Sequence, residues 1–268
     1  MRALNATPSE PEHTGNTAED ARPGLLGEKP RLLLFHYHLF KNAGTSIDEM
    51  LARNFGRHWQ TQEFPRHGNA VAVTNFIRQR RDLIAVSSHT ALLPVPRIEG
   101  VHAFPILFVR HPIDRIRSAY EFERRQAAGT LGARLAKTHD FAGYLQALLK
   151  KPGHRQVRNF QTFRLSHNEP MRSGTELQRA LRSLESLPFV GLVEAYEKSI
   201  GRLAGLLRPW KPDFCACTTR RNASFGPDKQ LPERLAQIEA ALGRDSYLEL
   251  CEANRDDLIL HEELKART

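Results

Sequence analysis

A cation, a glycine and two hydroxyls follow a short apolar run near the start of the chain. The run is Leu32–Phe35, and the loop beyond it reads Lys-Asn-Ala-Gly-Thr-Ser from Lys41 onward. Glu49 lies three positions after Ser46, which predicts a capping box and a helix start at Thr45–Ser46, with Gly44 letting the backbone turn tightly. Because the first amides of a helix attract anions, we expect an anion site here. A strand–turn–helix with a solvated lysine is the alternative.

A second possible anion site follows another apolar run. In "ILFVRHPIDRIRSAY" Arg110 ends the run, and Pro112 occupies a favourable first helical position. Ser118 lies about two turns into that helix, on a face that can look back to the strand end. A guanidinium beside a hydroxyl suits a phosphate group. Alternatively, the arginines of this segment pair with its carboxylates along a solvated helix. We prefer that interpretation for three of them: Arg115, Arg124 and Arg125.

Two histidines of the first strand invite a metal interpretation. His36 and His38 are two positions apart, so they share one strand face. Imidazoles bind transition metals, but no third ligand can be identified from the sequence. We therefore interpret both histidines as structural and predict no metal site.

The surrounding elements alternate between strand and helix patterns. Apolar runs predict strands over "DLIAVSSH" (82–89), "AFPILFV" (103–109) and "PFVGLVE" (188–194) in addition to the first one. Helical spacing predicts helices over 112–125, 140–149, 176–187, 195–207 and 232–242. This alternation predicts an α/β fold, a single domain with a central parallel sheet flanked by helices. Ligands of such folds bind beyond the carboxyl ends of the strands, where Lys41 and Arg110 stand.

Composition narrows the setting of this domain. Residues 1–30 are rich in proline, glycine and small polar residues, so we expect a disordered tail there and one domain over 31–268. The net charge of +9 favours an anionic ligand or surface. No apolar segment has the length of a membrane span or a signal peptide. The three cysteines follow no framework pattern, which favours reduced thiols: Cys215, Cys217 and Cys251.

The phosphate motifs match a known family better than a general nucleotide-binding pattern. The P-loop pattern places its lysine after the glycine, whereas Lys41 precedes Gly44, and Gly-x-Gly-x-x-Gly is missing after the first strand. Together, "HLFKNAGTS" and "RHPIDRIRSAY" resemble the carbohydrate branch of PAPS-dependent sulfotransferases, which includes heparan sulfate 2-O-sulfotransferase. PAPS is 3′-phosphoadenosine 5′-phosphosulfate. "RNFQTFRL" and "VGLVEAYEKSIGRL" also resemble family elements, and the resemblance spans roughly residues 32–265.

Four positions depart from the family pattern. Phe40 replaces the usual proline before the lysine, His111 replaces an aspartate after the arginine, and Asn42-Ala43 replaces the commoner Thr-Gly. Neither the change to Phe40 nor the change to His111 removes a group that would donate a hydrogen bond to phosphate. They bear on the acceptor more than on the sulfuryl donor.

The resemblance implies how the donor is bound. A P-loop-like phosphosulfate-binding loop would hold PAPS, with Lys41 at the oxygen that bridges phosphorus and sulfur. The loop residues that would contact the cofactor are Lys41, Asn42, Ala43, Gly44, Thr45 and Ser46, and Arg110 and Ser118 would hold the 3′-phosphate.

The resemblance also implies a catalytic base. "SSHT" places His89 at a strand end, where it matches the histidine of the family's Gly-His element. Imidazole chemistry suits a general base, while a histidine that merely satisfies the strand end is the alternative. Glu63 and His111 are weaker candidates for the base, and His38 is expected near the donor.

The acceptor is the least determined part of the prediction. A glycan hydroxyl is the leading expectation, with lipid, small-molecule and tyrosyl hydroxyls as alternatives. Arg158, Arg220 and Arg221 are weak candidates for contacting it. Without the membrane anchor of Golgi relatives, we expect a cytoplasmic, bacterial-type enzyme that binds no nucleic acid. Two rival classes stay open: a kinase-like phosphotransferase, which needs Mg²⁺ carboxylates, and a basic nucleic-acid-binding module.

Overall fold

Five parallel strands form the central sheet in the part of the chain that the structure describes. The computed structural model describes residues 30–216 and 229–268. The sheet order is β2-β3-β1-β4-β5, and each neighbouring pair is parallel. The strands are β1 (Arg31–Tyr37), β2 (Trp59–Thr61), β3 (Ala85–Ser88), β4 (Val101–Val109) and β5 (Val190–Leu192). The predicted α/β class with a parallel sheet is confirmed. The tail expected over residues 1–30 lies, up to residue 29, outside the described residues.

Helices connect and flank these strands. They are α1 (Gly44–Phe55), α2 (Asn69–Gln79), α3 (Pro112–Arg125), α4 (Leu131–Thr138), α5 (Phe141–Leu149), α6 (Phe160–Ser166), α7 (Glu176–Ser186), α8 (Tyr196–Leu207), α9 (Leu231–Leu242), α10 (Arg244–Ala253) and α11 (Arg255–Arg267), with 3₁₀ turns at Gly56–His58 and Arg155–Val157. The five predicted helices beyond the first strand–turn–helix unit are confirmed to within one residue at each end, as α3, α5, α7, α8 and α9.

The sheet is covered by helices on both faces. Successive side chains of β1 point to opposite faces. Leu33 and Phe35 pack with residues of α2, α7 and α11, whereas Leu34 packs with residues of α1 and α8. Burial on both faces explains why the first strand reads as an unbroken apolar run. A third apolar cluster joins α3, α5, α9 and α10 beside the sheet.

Helix α1 begins differently from the prediction. Its N-cap is Ala43, which has a left-handed conformation (φ 62°) and makes no side-chain cap hydrogen bond. The amide of Ser46 donates to the carbonyl of Ala43 at 3.0 Å, so Ser46 lies inside the helix. The predicted capping box is therefore wrong, and the helix begins at Gly44, one residue before the predicted start at Thr45–Ser46. The left-handed residues of this loop are Lys41 (φ 65°) and Ala43. Gly44 is instead required because the His38 ring packs against it.

Arg115 is buried, contrary to the solvated-helix interpretation. Its side chain is fully inaccessible, its Nη2 donates to the Gln156 carbonyl, and its guanidinium lies 4.7 Å from the centre of the Phe160 ring. Burial lowers the pKa of Arg115 to about 10. Arg124 and Arg125 are exposed, as expected.

The structure bears on two features predicted from composition, membrane-spanning segments and the state of the cysteines. None of the helices in the described ranges is both long and apolar enough to span a membrane. Cys215 is disulfide-bonded, so the prediction of reduced thiols is wrong for this residue. Cys251 is a free thiol, as predicted, and Cys217 lies outside the described residues.

Candidate functional site

One cavity opens at the carboxyl ends of the strands and receives residues from both predicted anion sites. It encloses about 300 Å³, at the lower end of the range for small-molecule sites. Its lining residues come from the segments that follow β1, β3, β4 and β5: His38, Phe40, Lys41, Ala43, Gly44, Thr45, Ser46, His89, Arg110, Ser118, Phe122, Val193 and Tyr196. The structure therefore brings together all but one of the residues predicted for catalysis and cofactor binding. The exception is Asn42.

Lys41 is held over an aromatic side chain at this cavity. Its Nζ lies 4.7 Å from the centre of the Phe122 ring, which meets the Phe40 ring edge-on at 5.5 Å. Burial, together with the positive charges of Arg110 and Arg125, lowers the pKa of Lys41 to about 8. An anion in the cavity would relieve both effects, because it would supply the negative charge that this partly desolvated ammonium group needs.

Arg110 connects the two motifs. Its Nη1 donates to the Lys41 carbonyl at 3.1 Å, and its Nε donates to Asp114 at 2.8 Å. Asp114 also accepts hydrogen bonds from Arg234, at 2.9 and 3.0 Å. Burial opposes ionisation of Asp114, but the charges and hydrogen bonds of the two arginines hold its pKa below the usual range. Arg110 is thus oriented by a buried carboxylate, in a cavity that Ser118 of α3 also lines.

Asn42 lies beneath the loop rather than in the cavity. Its Nδ2 donates at 2.7 Å both to the Phe108 carbonyl and to Gln161. Gln161 in turn bonds the amide and the carbonyl of Arg110, each at 2.8 Å. The Asn42 side chain therefore ties the Lys41 loop to the end of β4. Sequence reasoning singled out the segment around Gln161 but assigned no role to this residue.

His89 is paired with a carboxylate at the edge of the cavity. Its Nδ1 lies 2.7 Å from Glu63 Oε1, and its ring stacks on that of His38 with 4.0 Å between the ring centres. Glu63 follows β2, whose carboxyl end lies beside that of β3. Sequence reasoning identified Glu63 only as a weaker candidate base, because no local sequence pattern connects it to His89, twenty-six positions later.

His36 and His38 share a third group that sequence reasoning missed. Asp48 on α1 accepts from His36 Nδ1 at 2.8 Å and from His38 Nδ1 at 2.9 Å. These three residues could hold a metal ion. Burial opposes ionisation of Asp48, but its two histidine hydrogen bonds outweigh burial and hold its pKa well below the usual range. Burial lowers the pKa of His36. The two hydrogen bonds to Asp48 fix the orientation of both imidazoles.

The remaining predicted residues lie away from the cavity lining or outside the described ranges. Arg158 donates from Nη2 to the Leu149 carbonyl at 2.7 Å. His111 is buried against His261, and burial, with the nearby charge of His261, lowers the pKa of His111 to about 4. Arg220 and Arg221 lie outside the described residues.

Comparison with known proteins identifies a relative without a described activity. No family model matches the chain. A protein of Archaeoglobus fulgidus, described as "Uncharacterized protein", is 41% identical over 245 residues, covering 87% of this chain and 96% of that protein. Identity at this level across nearly the whole of both chains shows common family membership. The chain therefore belongs to the same family as this uncharacterized archaeal protein.

Proposed function

We propose that this protein is a PAPS-dependent sulfotransferase, resembling the carbohydrate branch, that moves a sulfuryl group from PAPS to an acceptor hydroxyl. The observation that carries the proposal is that Lys41, His89, Arg110 and Ser118 line one cavity although they follow three different strands. These residues suit three parts of one reaction: Arg110 and Ser118 anion binding, Lys41 charge stabilisation, and His89 proton removal. Nothing local in the sequence requires these groups to meet.

In this proposal the Lys41 loop is a P-loop-like phosphosulfate-binding loop. The two left-handed residues, Lys41 and Ala43, give the loop a conformation in which successive amides can face a bound anion. Non-glycine residues with positive φ cost energy and are concentrated at functional sites. The amides of Gly44 and Thr45, with the hydroxyls of Thr45 and Ser46, would hold the phosphosulfate. Arg110 and Ser118 would hold the 3′-phosphate.

The transfer is an in-line displacement at sulfur. The acceptor oxygen forms a bond to sulfur as the bond from sulfur to the bridging oxygen breaks, and the electron pair of that bond stays on the 5′-phosphate of PAP, the desulfated product. Lys41 would stabilise the charge that develops on the bridging oxygen. His89 would take the proton of the acceptor hydroxyl. The protein's contribution is otherwise the alignment of donor and acceptor.

A glycan hydroxyl is the proposed acceptor, on the resemblance of the two phosphate motifs to the carbohydrate branch. A kinase-like phosphotransferase is the less favoured alternative, because it needs carboxylates free to bind Mg²⁺. Three carboxylates that contact cavity-lining residues already accept hydrogen bonds from histidine or arginine: Asp48, Glu63 and Asp114. A nucleic-acid-binding module would rest on the net charge of +9 alone.

Titration of the full chain with PAP, ATP–Mg²⁺ and DNA separates these classes. We expect saturable PAP binding, with ATP–Mg²⁺ and DNA binding more weakly, and transfer of label from PAPS to members of a panel of glycans, lipids and phenols. Lys137→Ala, which removes an exposed lysine of α4, should leave both readouts unchanged. Tighter binding of ATP–Mg²⁺ than PAP, or DNA binding with a steep salt dependence and none of PAP, would overturn the proposal.

Arg110→Ala and Ser118→Ala test the 3′-phosphate assignment. Loss of a hydrogen bond to a charged group costs about 1.5–3 kcal/mol, so Arg110→Ala should weaken PAP roughly 10- to 100-fold. Ser118→Ala should have a smaller effect of the same kind. AMP, which lacks the 3′-phosphate, should bind both variants as it binds the unsubstituted protein. Equal weakening of PAP and AMP would contradict the assignment. Arg124→Ala, on an exposed arginine of α3, the helix that carries Ser118, is the matched control.

A further inference from the structure

The Glu63 carboxylate contacts several hydrogen-bond donors at the end of β3, where His89 lies. Its Oε1 accepts from the backbone amide of His89 at 3.2 Å and faces Nδ1 of the same residue at 2.7 Å. Its Oε2 accepts from the amide and the hydroxyl of Thr90, at 2.9 and 2.7 Å, and from the Ser88 hydroxyl at 3.4 Å. Both carboxylate oxygens are therefore engaged, and the carboxylate has one defined position relative to the imidazole.

We infer that Glu63 is a positioning residue that holds His89 in the tautomer protonated at Nδ1, so that Nε2 accepts the proton of the acceptor hydroxyl. The inference rests on the proposed function. The proton leaves the acceptor oxygen for His89 Nε2 as that oxygen bonds to sulfur, and the imidazole becomes an imidazolium with a proton on each nitrogen. The Glu63 carboxylate stabilises that cation without taking the proton, as a carboxylate does behind other histidine bases.

The same contacts argue against Glu63 as the base itself. Burial opposes ionisation of Glu63, but the hydrogen bonds from His89 and Thr90 outweigh it and hold the pKa of Glu63 below its usual range. A carboxylate that already accepts several hydrogen bonds and has a depressed pKa is a poor proton acceptor near neutral pH. Glu63 is also absent from the cavity lining, whereas His89 belongs to it.

A second contact restrains the face of the His89 ring. The His38 ring stacks on it at 4.0 Å, and His38 is itself held by Asp48 at 2.9 Å. Glu63 on one edge and His38 on one face therefore leave Nε2 as the ring atom available to a substrate. The titratable groups that interact with this imidazole are Glu63, His38 and His36. Asp48 holds the latter two histidines, and Lys41 lines the same cavity.

Glu63→Gln tests the inference with a readout that does not need turnover. Glutamine offers one acceptor oxygen to donors that now share two, so it must release either His89 or Thr90. We expect the ¹⁵N ring spectrum of neutral His89 to show one tautomer, protonated at Nδ1, in the unsubstituted protein, and a mixture of tautomers in Glu63→Gln. Turnover of PAPS should fall roughly 10²- to 10⁴-fold, while the PAP dissociation constant changes less than about twofold. Glu63→Asp, which keeps the charge, should recover part of the loss.

Glu262→Gln is the matched control, since Glu262 is an exposed carboxylate beside His261 Nδ1 at 3.3 Å, away from the cavity lining. It should leave turnover and the His89 spectrum unchanged. An unaltered His89 tautomer with near-normal turnover in Glu63→Gln would overturn the inference. It would also be overturned if His89→Gln kept its turnover while Glu63→Gln abolished it, because Glu63 would then be the base. Absence of PAP binding in the unsubstituted protein would instead reject the proposed function, and the tautomer measurement would still decide the role of Glu63.

Discussion

At the scale of single residues, Lys41 is the group whose charge the site controls most directly. Burial, with help from Arg110 and Arg125, lowers its pKa to about 8. The positive charge is therefore present below pH 8 and is lost as the pH rises through that value. If the charge serves the bridging oxygen of PAPS, kcat/KM for PAPS should fall roughly tenfold per pH unit above this point. A pH–rate profile of the free enzyme measures it, and an alkaline limb that persists unchanged in Lys41→Ala would assign the limb to another group.

Lys41→Ala also separates catalysis from binding. The proposed partner of Lys41, the oxygen joining phosphorus to sulfur, carries developing charge only during transfer. We expect kcat to fall roughly 10²- to 10³-fold, the usual loss for removing one stabilising group of this kind, with a much smaller loss of PAP affinity. Single-turnover kinetics and PAP titration give the two numbers. Losses of equal size would make Lys41 a simple binding residue.

His111 predicts how stability depends on pH. Its pKa in the folded protein is about 4 because it is buried, with the positive charge of His261 lowering it further, while Glu194, Asp114 and Glu262 act in the opposite direction. Between pH 4 and 6.5 the unfolded chain binds more protons than the folded one. Stability should therefore be complete above about pH 6.5 and fall as the pH drops to 4, by roughly 3 kcal/mol for this group.

His111→Phe provides the comparison. The ring Nδ1 of His111 is buried and has no hydrogen-bond partner within the described residues, so an apolar ring of similar shape should be tolerated. Urea unfolding of both proteins at several pH values should show a shallower acid dependence in the variant. Parallel curves would place the acid sensitivity elsewhere.

At the scale of elements, the junction of β1 and α1 depends on one close approach. A Cβ atom on Gly44 would lie 2.0 Å from the His38 ring, closer than any real contact. Gly44→Ala must therefore displace the His38 ring from Asp48, and we expect it to lower the free energy of unfolding by about 1–3 kcal/mol. Gly201→Ala is the matched control: Gly201 lies in α8 with open space around it, so the same substitution should stabilise by up to about 1 kcal/mol. Chemical denaturation of both variants checks the opposite signs. Equal effects would show that His38 yields without cost.

At the scale of the whole molecule, hydrogen bonds connect the last helix, α11, to the segments that line the cavity. Asp257 of α11 is fully buried and accepts hydrogen bonds from the amides of Gln161 and Thr162, at 3.1 and 2.7 Å. Gln161 in turn holds Asn42 and the backbone of Arg110. The Lys41 loop and the Arg110 strand end are thereby connected to the C-terminal helix through one chain of hydrogen bonds.

Asp257→Ala should therefore lower both stability and PAP affinity. Removing the acceptor leaves buried amides unpaired, which costs about 1–3 kcal/mol each. Calorimetric unfolding and PAP titration at a temperature where the variant is folded measure the two effects. Glu263→Ala, on the exposed side of the same helix, should change neither. A destabilised Asp257→Ala protein with normal PAP affinity would show that the hydrogen-bond chain supports the fold but not the cavity.

Features that depend on local pattern could be predicted from the amino-acid sequence. Helical spacing places α3, α5, α7, α8 and α9 within a residue of their ends, because one apolar stripe per helix must face the core. Strand–helix alternation predicts the parallel sheet, and the rule that ligands bind beyond strand ends predicts that Lys41, His89 and Arg110 can share a site. The sequence analysis did not predict α11, whose buried face carries Asp257 and His261 beside its leucines.

The pairing of polar groups, in contrast, became visible in the folded structure. The partners of His89, of the His36–His38 pair and of the Arg110 backbone are Glu63, Asp48 and Gln161, and none of them has a local signature in the sequence. The same holds for the burial of Arg115 and for Gly44, whose requirement comes from the His38 ring packed against it. Polar pairing inside a protein is set by three-dimensional approach, because each buried donor or acceptor must find a partner wherever the chain brings one, and sequence spacing carries no record of that approach.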